Sequence, residues 1–154
     1  MMKHRLTVSM QVPRPRAEVF GFFAEANNLE AITPPELHFR IVSPQPIIIQ
    51  KDTYIEYQLR LFGISFSWLT RITHWNPPQE FVDEQVQGPY KQWIHTHSFT
   101  EVNGGTEISD EVQYQLPFFP LGELAYPLVH LQLQRIFAYR QKRIQDIFSG
   151  HLKR

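Results

Sequence analysis

The sequence predicts an α+β fold in which a seven-stranded, curved antiparallel sheet wraps around a long C-terminal helix, with two short helices after the first strand. Three observations point to it. Segments with period-two hydrophobicity follow one another from Leu37 to Leu116, joined by connectors too short for anything but antiparallel neighbours. Helical periodicity interrupts the strands only once, between the first strand and Pro34-Pro35. From Leu121 it returns and holds almost to the end of the chain. A sheet with one long amphipathic helix available to cover it packs most economically by curling around that helix.

The first strand is "HRLTVSMQV", where Leu6, Val8, Met10 and Val12 alternate on one face. "RPRAEVFGFFAEANN" changes period. Pro15 suits a first helical turn, Glu18 complements the helix dipole there, and Val19, Phe20, Phe23 and Ala26 share a stripe. "NLEAIT" adds a second short helix that must end at Pro34-Pro35, because a residue before proline is pushed out of the helical region. Six strands follow in "LHFRIVS", "TYIEYQLRLF", "SFSWLTRITHW", "EFVDEQVQ", "KQWIHTHSFTEV" and "TEISDEVQYQL", separated by "PQPIIIQKD", "GI", "NPPQ", "GPY" and "NGG". The isoleucines of "SPQPIIIQ" are read as a short strand packing on its neighbours. The last element carries Leu121, Leu124, Ala125, Leu128, Val129, Leu133, Ile136, Phe137, Ile144, Ile147 and Phe148 on one stripe, with Pro127 either kinking it or marking its effective start.

A chain of 154 residues is read as one domain spanning 1–154 around a single core, with no repeat and no low-complexity linker. Fifteen basic and fifteen acidic residues cancel, so no global field draws the chain onto nucleic acid or an anionic membrane. The lack of cysteine excludes disulfides, thiolate nucleophiles and cysteine metal sites, and fits a reducing compartment. No segment approaches the roughly 20 apolar residues of a membrane span. The expectation is a cytoplasmic protein that takes a hydrophobic small molecule, with no nucleic acid and no stable membrane insertion. Aromatic residues make up 14% of the chain, which is enough rigid apolar area to wall a cavity as well as fill a core.

Period two sorts each strand into faces. Ile55, Tyr57, Leu59 and Leu61 form one inner set, and Phe66, Trp68, Thr70 and Ile72 the next. Phe81, Asp83 and Gln85 share a face, as do Trp93, His95, His97 and Phe99, and Ile108, Asp110, Val112, Tyr114 and Leu116. A three-residue loop between Gln87 and Lys91 sets Gln85 opposite Trp93, Asp83 opposite His95 and Phe81 opposite His97. A two-residue turn at Asn103-Gly104 sets His97 opposite Asp110; a longer one would set Phe99 there. The expected inner wall is therefore aromatic and aliphatic, with Asp83, Gln85, His95, His97 and Asp110 clustered on three neighbouring strands. Buried polar groups need partners or water, so these five either fasten the sheet by pairing with one another or line a ligand-filled space.

Two histidines alternating on a strand stand about 6 to 7 Å apart along it, within reach of a metal with Asp83 or Asp110 as third ligand. No third histidine stands at a motif spacing, and the sequence calls for no metal and no cofactor. A histidine oriented by Asp83 or Asp110 is also a candidate general base. No nucleophile elbow and no phosphate-binding glycine loop is present. Arg135, Arg140, Lys142 and Arg143 are read as the wet face of the last helix. A protein-docking module would need a large exposed apolar patch, and the pattern singles out none.

The stretches "AEVFGFFAEANNLEAITPPELHFRI", "FVDEQVQGPYKQWIHTHSFTEVNGGTEISDEVQYQLPFFPLGELA" and "QLQRIFAYRQKRI", in this order, resemble the SRPBCC superfamily over essentially the whole chain. This is the helix-grip fold of START lipid-transfer domains, birch-pollen-allergen relatives and polyketide cyclase/dehydratases. The chain departs from many relatives at "QKDT", where they carry a glycine turn. The resemblance implies a deep cavity between sheet and long helix, entered through loops and the second short helix, and it brings no agreed catalytic motif.

Together these readings make the chain a binding module for a lipid, isoprenoid or polyketide-like ligand held by Tyr57, Trp68, Phe81, Gln85, Trp93, His95, His97, Phe99 and Tyr114, in a pocket of several hundred cubic ångströms. The rival is a cofactor-free cyclase or dehydratase in which His95 or His97, paired with Asp83 or Asp110, removes a proton next to a carbonyl while Gln85, Trp93 and Tyr114 position the substrate.

Overall fold

The structure, a computed structural model, describes residues 2–149. Strand β1 (His4–Val12) leads into α1 (Arg16–Phe23) and α2 (Asn28–Ala31), then a single 3-10 turn at Pro35–Leu37. Strands β2 (Arg40–Ile41), β3 (Tyr54–Leu61), β4 (Ile64–Asn76), β5 (Glu80–Gln87), β6 (Gln92–Val102) and β7 (Gly105–Gln115) follow, and α3 (Tyr126–Phe148) ends the series. All seven strands belong to one antiparallel sheet in the order β1-β7-β6-β5-β4-β3-β2. The α+β class read from hydrophobic periodicity is the observed one.

Sequence explains most element ends. β3 and β4 turn at Phe62-Gly63, both with positive φ (53° and 77°), the pattern of a type I′ hairpin whose twist matches the strands it joins. The turn thus lies one residue earlier than the "GI" connector suggested. Val102 pairs with Gly105 around Asn103-Gly104, and Gly104 takes a φ of 87° that a side chain would resist. This two-residue turn selects the register in which His97 lies opposite Asp110. β4 slips register against β5 at Leu69/Thr70 and again at Ile72/His74, and such bulges bend and twist a strand, here one of 13 residues.

Two expectations for the middle of the chain are corrected. "LHFRIVS" forms only the two-residue β2, and "SPQPIIIQ" forms no strand at all. Pro44 and Pro46 bring no N–H to a ladder, and the segment runs as a loop with Ile48 exposed and Ile49 turned against the core.

The C-terminal element also differs from its stripe. Leu121–Ala125 is a 3-10 helix, and the α-helix proper starts at Tyr126 with Pro127 in its first turn, where its missing N–H costs nothing. Leu133, Phe137, Ile144, Ile147 and Phe148 are buried, but Leu121, Leu124 and Leu128 are exposed, Leu124 to 82%. Phe118, Phe119 and Leu131, close by in sequence, are exposed as well.

The core falls into two clusters along α3. One gathers Trp68, Trp93, Val112, Tyr114, Leu133 and Phe137, and the other gathers Val19, Phe20, Phe81, Phe99, Ile108, Ile144 and Phe148. Burying one side chain of the size of Phe148, which is wholly enclosed, contributes about 1.5–3 kcal/mol. Between the two clusters the packing opens.

Candidate functional site

The opening is a cavity of about 170 Å³ between the concave face of the sheet, the α1–α2 segment and α3. β3 contributes Ile55, Tyr57, Leu59 and Leu61, and β4 contributes Trp68, Thr70 and Ile72, the inner sets that strand alternation selects. β5 and β6 add Phe81, Asp83, Trp93, His95 and His97, and α3 closes the space with Leu133, Ile136, Phe137 and Arg140. Leu37, Phe39 and Ile49 come from the loops, and the exposed Glu25 marks the rim. The volume is smaller than the several hundred cubic ångströms expected, since the rings of Phe22, Phe23, Phe39, Tyr57, Trp68, Phe81, Tyr90, Trp93 and Phe137 themselves occupy the inner face.

Not every expected residue reaches this space. Phe99 packs against Phe20, Phe23 and Phe81 in one core cluster, and Tyr114 against Trp93 and Tyr90 in the other. Gln85 serves the hairpin instead. Its Nε2 donates to the Tyr90 carbonyl at 2.7 Å and its Oε1 accepts the Tyr90 N–H at 3.1 Å. The β5–β6 ladder ends at Glu84 and Ile94, so the expected pairing of Gln85 with Trp93 is absent. Pro89, which lacks an N–H, leaves the loop needing a side chain to tie it.

The polar end of the cavity joins β5, β6, β7 and α3. Asp83 lies opposite His95 and His97 opposite Asp110 in the backbone registers, yet the short hydrogen bonds run diagonally. His97 Nε2 meets Asp83 Oδ2 at 2.5 Å and His95 Nε2 meets Asp110 Oδ1 at 2.7 Å. The directly opposed pairs are longer: His95 Nδ1 to Asp83 Oδ2 is 3.8 Å and His97 Nδ1 to Asp110 Oδ1 is 3.5 Å. Stacking of the two imidazoles, with centroids 3.7 Å apart, aims each Nε2 across to the other's carboxylate. The strand registers expected for Asp83 with His95 and His97 with Asp110 hold, and only the short hydrogen bonds choose other partners than the directly opposed ones.

The fifth member is Arg140, which the sequence placed on the wet face of the helix. It is only 7% exposed, its Nη2 stands 3.8 Å from Asp110 Oδ1, and its guanidinium lies 5.4 Å from the Phe23 ring and 5.8 Å from that of Phe137. Its position was readable: Arg140 stands three residues after Phe137 and four before Ile144, on the buried stripe itself.

These contacts set the protonation of the site. Burial on its own would raise the Asp110 carboxyl, but the Arg140 charge and the His95 hydrogen bond outweigh it and hold the group below the usual carboxylate range. For Asp83 burial is likewise outweighed, here by the His97 hydrogen bond and the nearby His95, His97 and Arg140. Both aspartates are thus acceptors only, so both Nε2 atoms carry the protons of the short bonds. His97 is pushed down to about 4, first by burial and then by its histidine neighbour, and is neutral at pH 7. Its proton is on Nε2, which leaves Nδ1 as a free lone pair, and that atom has no hydrogen-bond partner among the described residues.

Asp83, His95 and His97 bring their ligand atoms within 4.8 Å of one another, close enough for a cation. Both Nε2 atoms are already engaged with carboxylates, however, and Arg140 adds a like charge at the same corner. The donor set suits a proton or a polar ligand group better than a metal.

A family model described as "Polyketide cyclase / dehydrase and lipid transport" matches residues 12–133. No curated protein matches the chain. Among solved structures, the di-domain ARO/CYC StfQ from the steffimycin biosynthetic pathway is similar with a TM-score of 0.77 at 12% identity, over 97% of this chain and 51% of that one. A protein from Thermus thermophilus is similar with a TM-score of 0.69 at 16% identity, over 97% and 100% of the two chains. Ara h 8.0201 is similar with a TM-score of 0.63 at 16% identity, over 93% and 99%.

Proposed function

Because the chain belongs to the polyketide cyclase/dehydrase and lipid transport family and has its helix-grip fold, we propose that the cavity holds a hydrophobic small molecule of lipid, isoprenoid or polyketide-like character. The observation that carries this reading is the lining: aromatic and aliphatic for the most part, with the cluster of Asp83, His95, His97 and Arg140 as its main polar feature. Tyr57, Trp68, Phe81 and Trp93 would contact the apolar body of the ligand, and His95, His97 and Arg140 its polar group. The cytoplasm, as a reducing compartment, suits a chain without cysteine.

Blocking the cavity tests the proposal. Ile136 lines it from α3 and is only half-buried, so Ile136→Trp fills the space without overpacking the sealed core. Binding of 1-anilinonaphthalene-8-sulfonate, read by its fluorescence, is expected to weaken at least tenfold while the thermal midpoint moves little. Unchanged binding in the variant would place the dye outside the cavity and remove support for the reading.

The free lone pair on His97 favours a second reading, a cofactor-free enzyme of cyclase or dehydratase type. Asp83 fixes the tautomer; Nδ1, buried and 3.5 Å from Asp110, would have to turn toward the cavity to take a proton from the carbon beside a substrate carbonyl, and the imidazolium formed would be stabilised by the two aspartates. The Arg140 guanidinium would meet the developing enolate oxygen. If so, His97→Gln lowers kcat toward a polyketide-like ketone by about 10²–10⁴ with little change in KM. Equal kcat in the variant removes the enzyme reading and leaves the binding one standing.

A further inference from the structure

The antiparallel registers gather several chain reversals at one end of the sheet. The β3–β4 turn, the β5–β6 loop and the end of β7 all lie there, beside the start of β1. Phe62 and Ile64 at the first turn, Val86 at the end of β5, and Phe118, Leu121 and Leu124 after β7 are large apolar side chains left exposed at this end, Phe118 to 84%. They are neighbours in space as well as in topology. Phe66, Val86, Pro89, Lys91 and Phe118 border one groove, and the Gly122 N–H donates to the Phe118 carbonyl at 2.9 Å, which folds the Leu121–Ala125 turn back onto the same place. Exposed apolar side chains gathered in this way mark an interaction surface.

Charge says what the surface fits. Lys3 before β1, Arg60 beside the β3–β4 turn and Lys91 before β6 are exposed and make no ion pair among the described residues. Carboxylates are scarce by comparison: residues 57–79, 85–100 and 112–145 hold one among them, Glu123, and it meets His4 Nε2 at 2.6 Å. The chain is neutral as a whole, but this end is positive. An apolar surface rimmed with cations complements an anionic bilayer, which takes Phe and Leu side chains at the acyl boundary and meets Lys and Arg at its headgroups. A second copy of the chain fits it worse. An isologous contact through this end would set Lys3, Arg60 and Lys91 against their own counterparts.

We propose that this end of the molecule docks on an anionic lipid surface, with Phe118, Leu121 and Leu124 entering the headgroup region and Lys3, Arg60 and Lys91 meeting lipid phosphates. The contact is peripheral, since no helix among the described residues is long and apolar enough to cross a membrane. It does not depend on what the internal cavity holds.

Co-sedimentation of the full chain with vesicles tests the proposal, using phosphatidylcholine alone and phosphatidylcholine with about one third phosphatidylglycerol. Binding is expected on the anionic vesicles, at least tenfold weaker on the neutral ones, and weaker as salt is raised. Phe118→Asn/Leu124→Ser is expected to lower affinity for the anionic vesicles at least tenfold. Both side chains are exposed, and asparagine tolerates the φ of 60° at position 118, so the fold is kept. Lys91→Gln should cost about fivefold on anionic vesicles and nothing on neutral ones. Ile48→Ser is the control, an exposed apolar residue in the loop that enters β3 from its other end, and it is expected to bind as the unsubstituted protein does. A protein that stays in the supernatant with anionic vesicles, binds both vesicle types equally, or loses as much in Ile48→Ser as in the double variant overturns the proposal. So does a concentration-dependent dimer, read by light scattering, that the double variant abolishes while vesicle binding is absent; this end would then belong to a second copy.

Discussion

Asp110→Ala is expected to cost about 3–5 kcal/mol of folding stability, the range for removing one partner from a buried ion pair. Asp110 is 4% exposed and its carboxylate faces three groups: His95 Nε2 at 2.7 Å, His97 Nδ1 at 3.5 Å and Arg140 Nη2 at 3.8 Å. Removing it strands a guanidinium between Phe23 and Phe137 and leaves the proton on His95 Nε2 without an acceptor. The penalty comes chiefly from those uncompensated groups rather than from the lost contact itself. The double variant Asp110→Ala/Arg140→Met should therefore be more stable than Asp110→Ala, since the stranded charge is gone and a flexible apolar side chain takes its place. Urea unfolding of the two variants at pH 7 measures both effects. A single variant that loses less than about 1 kcal/mol, or a double variant no better than the single, would show that water reaches the cluster and screens it.

Acidification should weaken the fold in two stages. His97 is neutral in the folded protein down to about pH 4, whereas in the unfolded chain it takes up its proton near its ordinary value of 6.5. Between those two pH values the unfolded state binds the extra proton, so stability falls as pH falls, by on the order of 3 kcal/mol across the window. Asp83 and Asp110 have the same sign but act lower. Their folded-state values lie below 3.8, so the stability they contribute is present above that pH and is lost as pH drops through their folded range. Urea midpoints at pH 7, 6, 5 and 4 are expected to decline steadily, with the decline above pH 4 largely removed in His97→Gln. A flat profile between pH 7 and 5 would mean that His97 titrates normally and that its burial is not felt as desolvation.

The features of the site that period two controls were legible. Tyr57, Trp68, Phe81, Asp83, Trp93, His95 and His97 all reach the cavity because alternation fixes which face a residue occupies, and a register slip by two leaves the face unchanged. Which aspartate each histidine grips was not legible. That choice follows from the stacking of the two rings, a side-chain event that backbone register does not determine. Phe99 and Tyr114 share the inner face yet lie where helices pack directly on the sheet, and alternation carries no information on where along a strand the packing opens. Arg140 was missed for a different reason. Its spacing placed it on the buried stripe, but a cation on a surface helix is ordinarily solvated, and only its partner Asp110, 30 residues away in sequence, reverses that expectation. The isoleucines of the 44–50 loop misled because β-branched composition favours a strand while two prolines forbid its ladder.

The strand order carries one more consequence, for the path by which the chain assembles. β3 to β7 are joined by tight hairpins and can pair as each turn closes, whereas β1 pairs with β7 across a separation from His4 to Tyr114. Loop closure on that scale comes late, and so does the docking of α3 on the finished concave face. The two Asp–His pairs are held by the early hairpins alone, and their counter-ion Arg140 arrives with the last helix. In that order of assembly the two Asp–His pairs would stay solvated on an open sheet until the helix seats and takes them out of water.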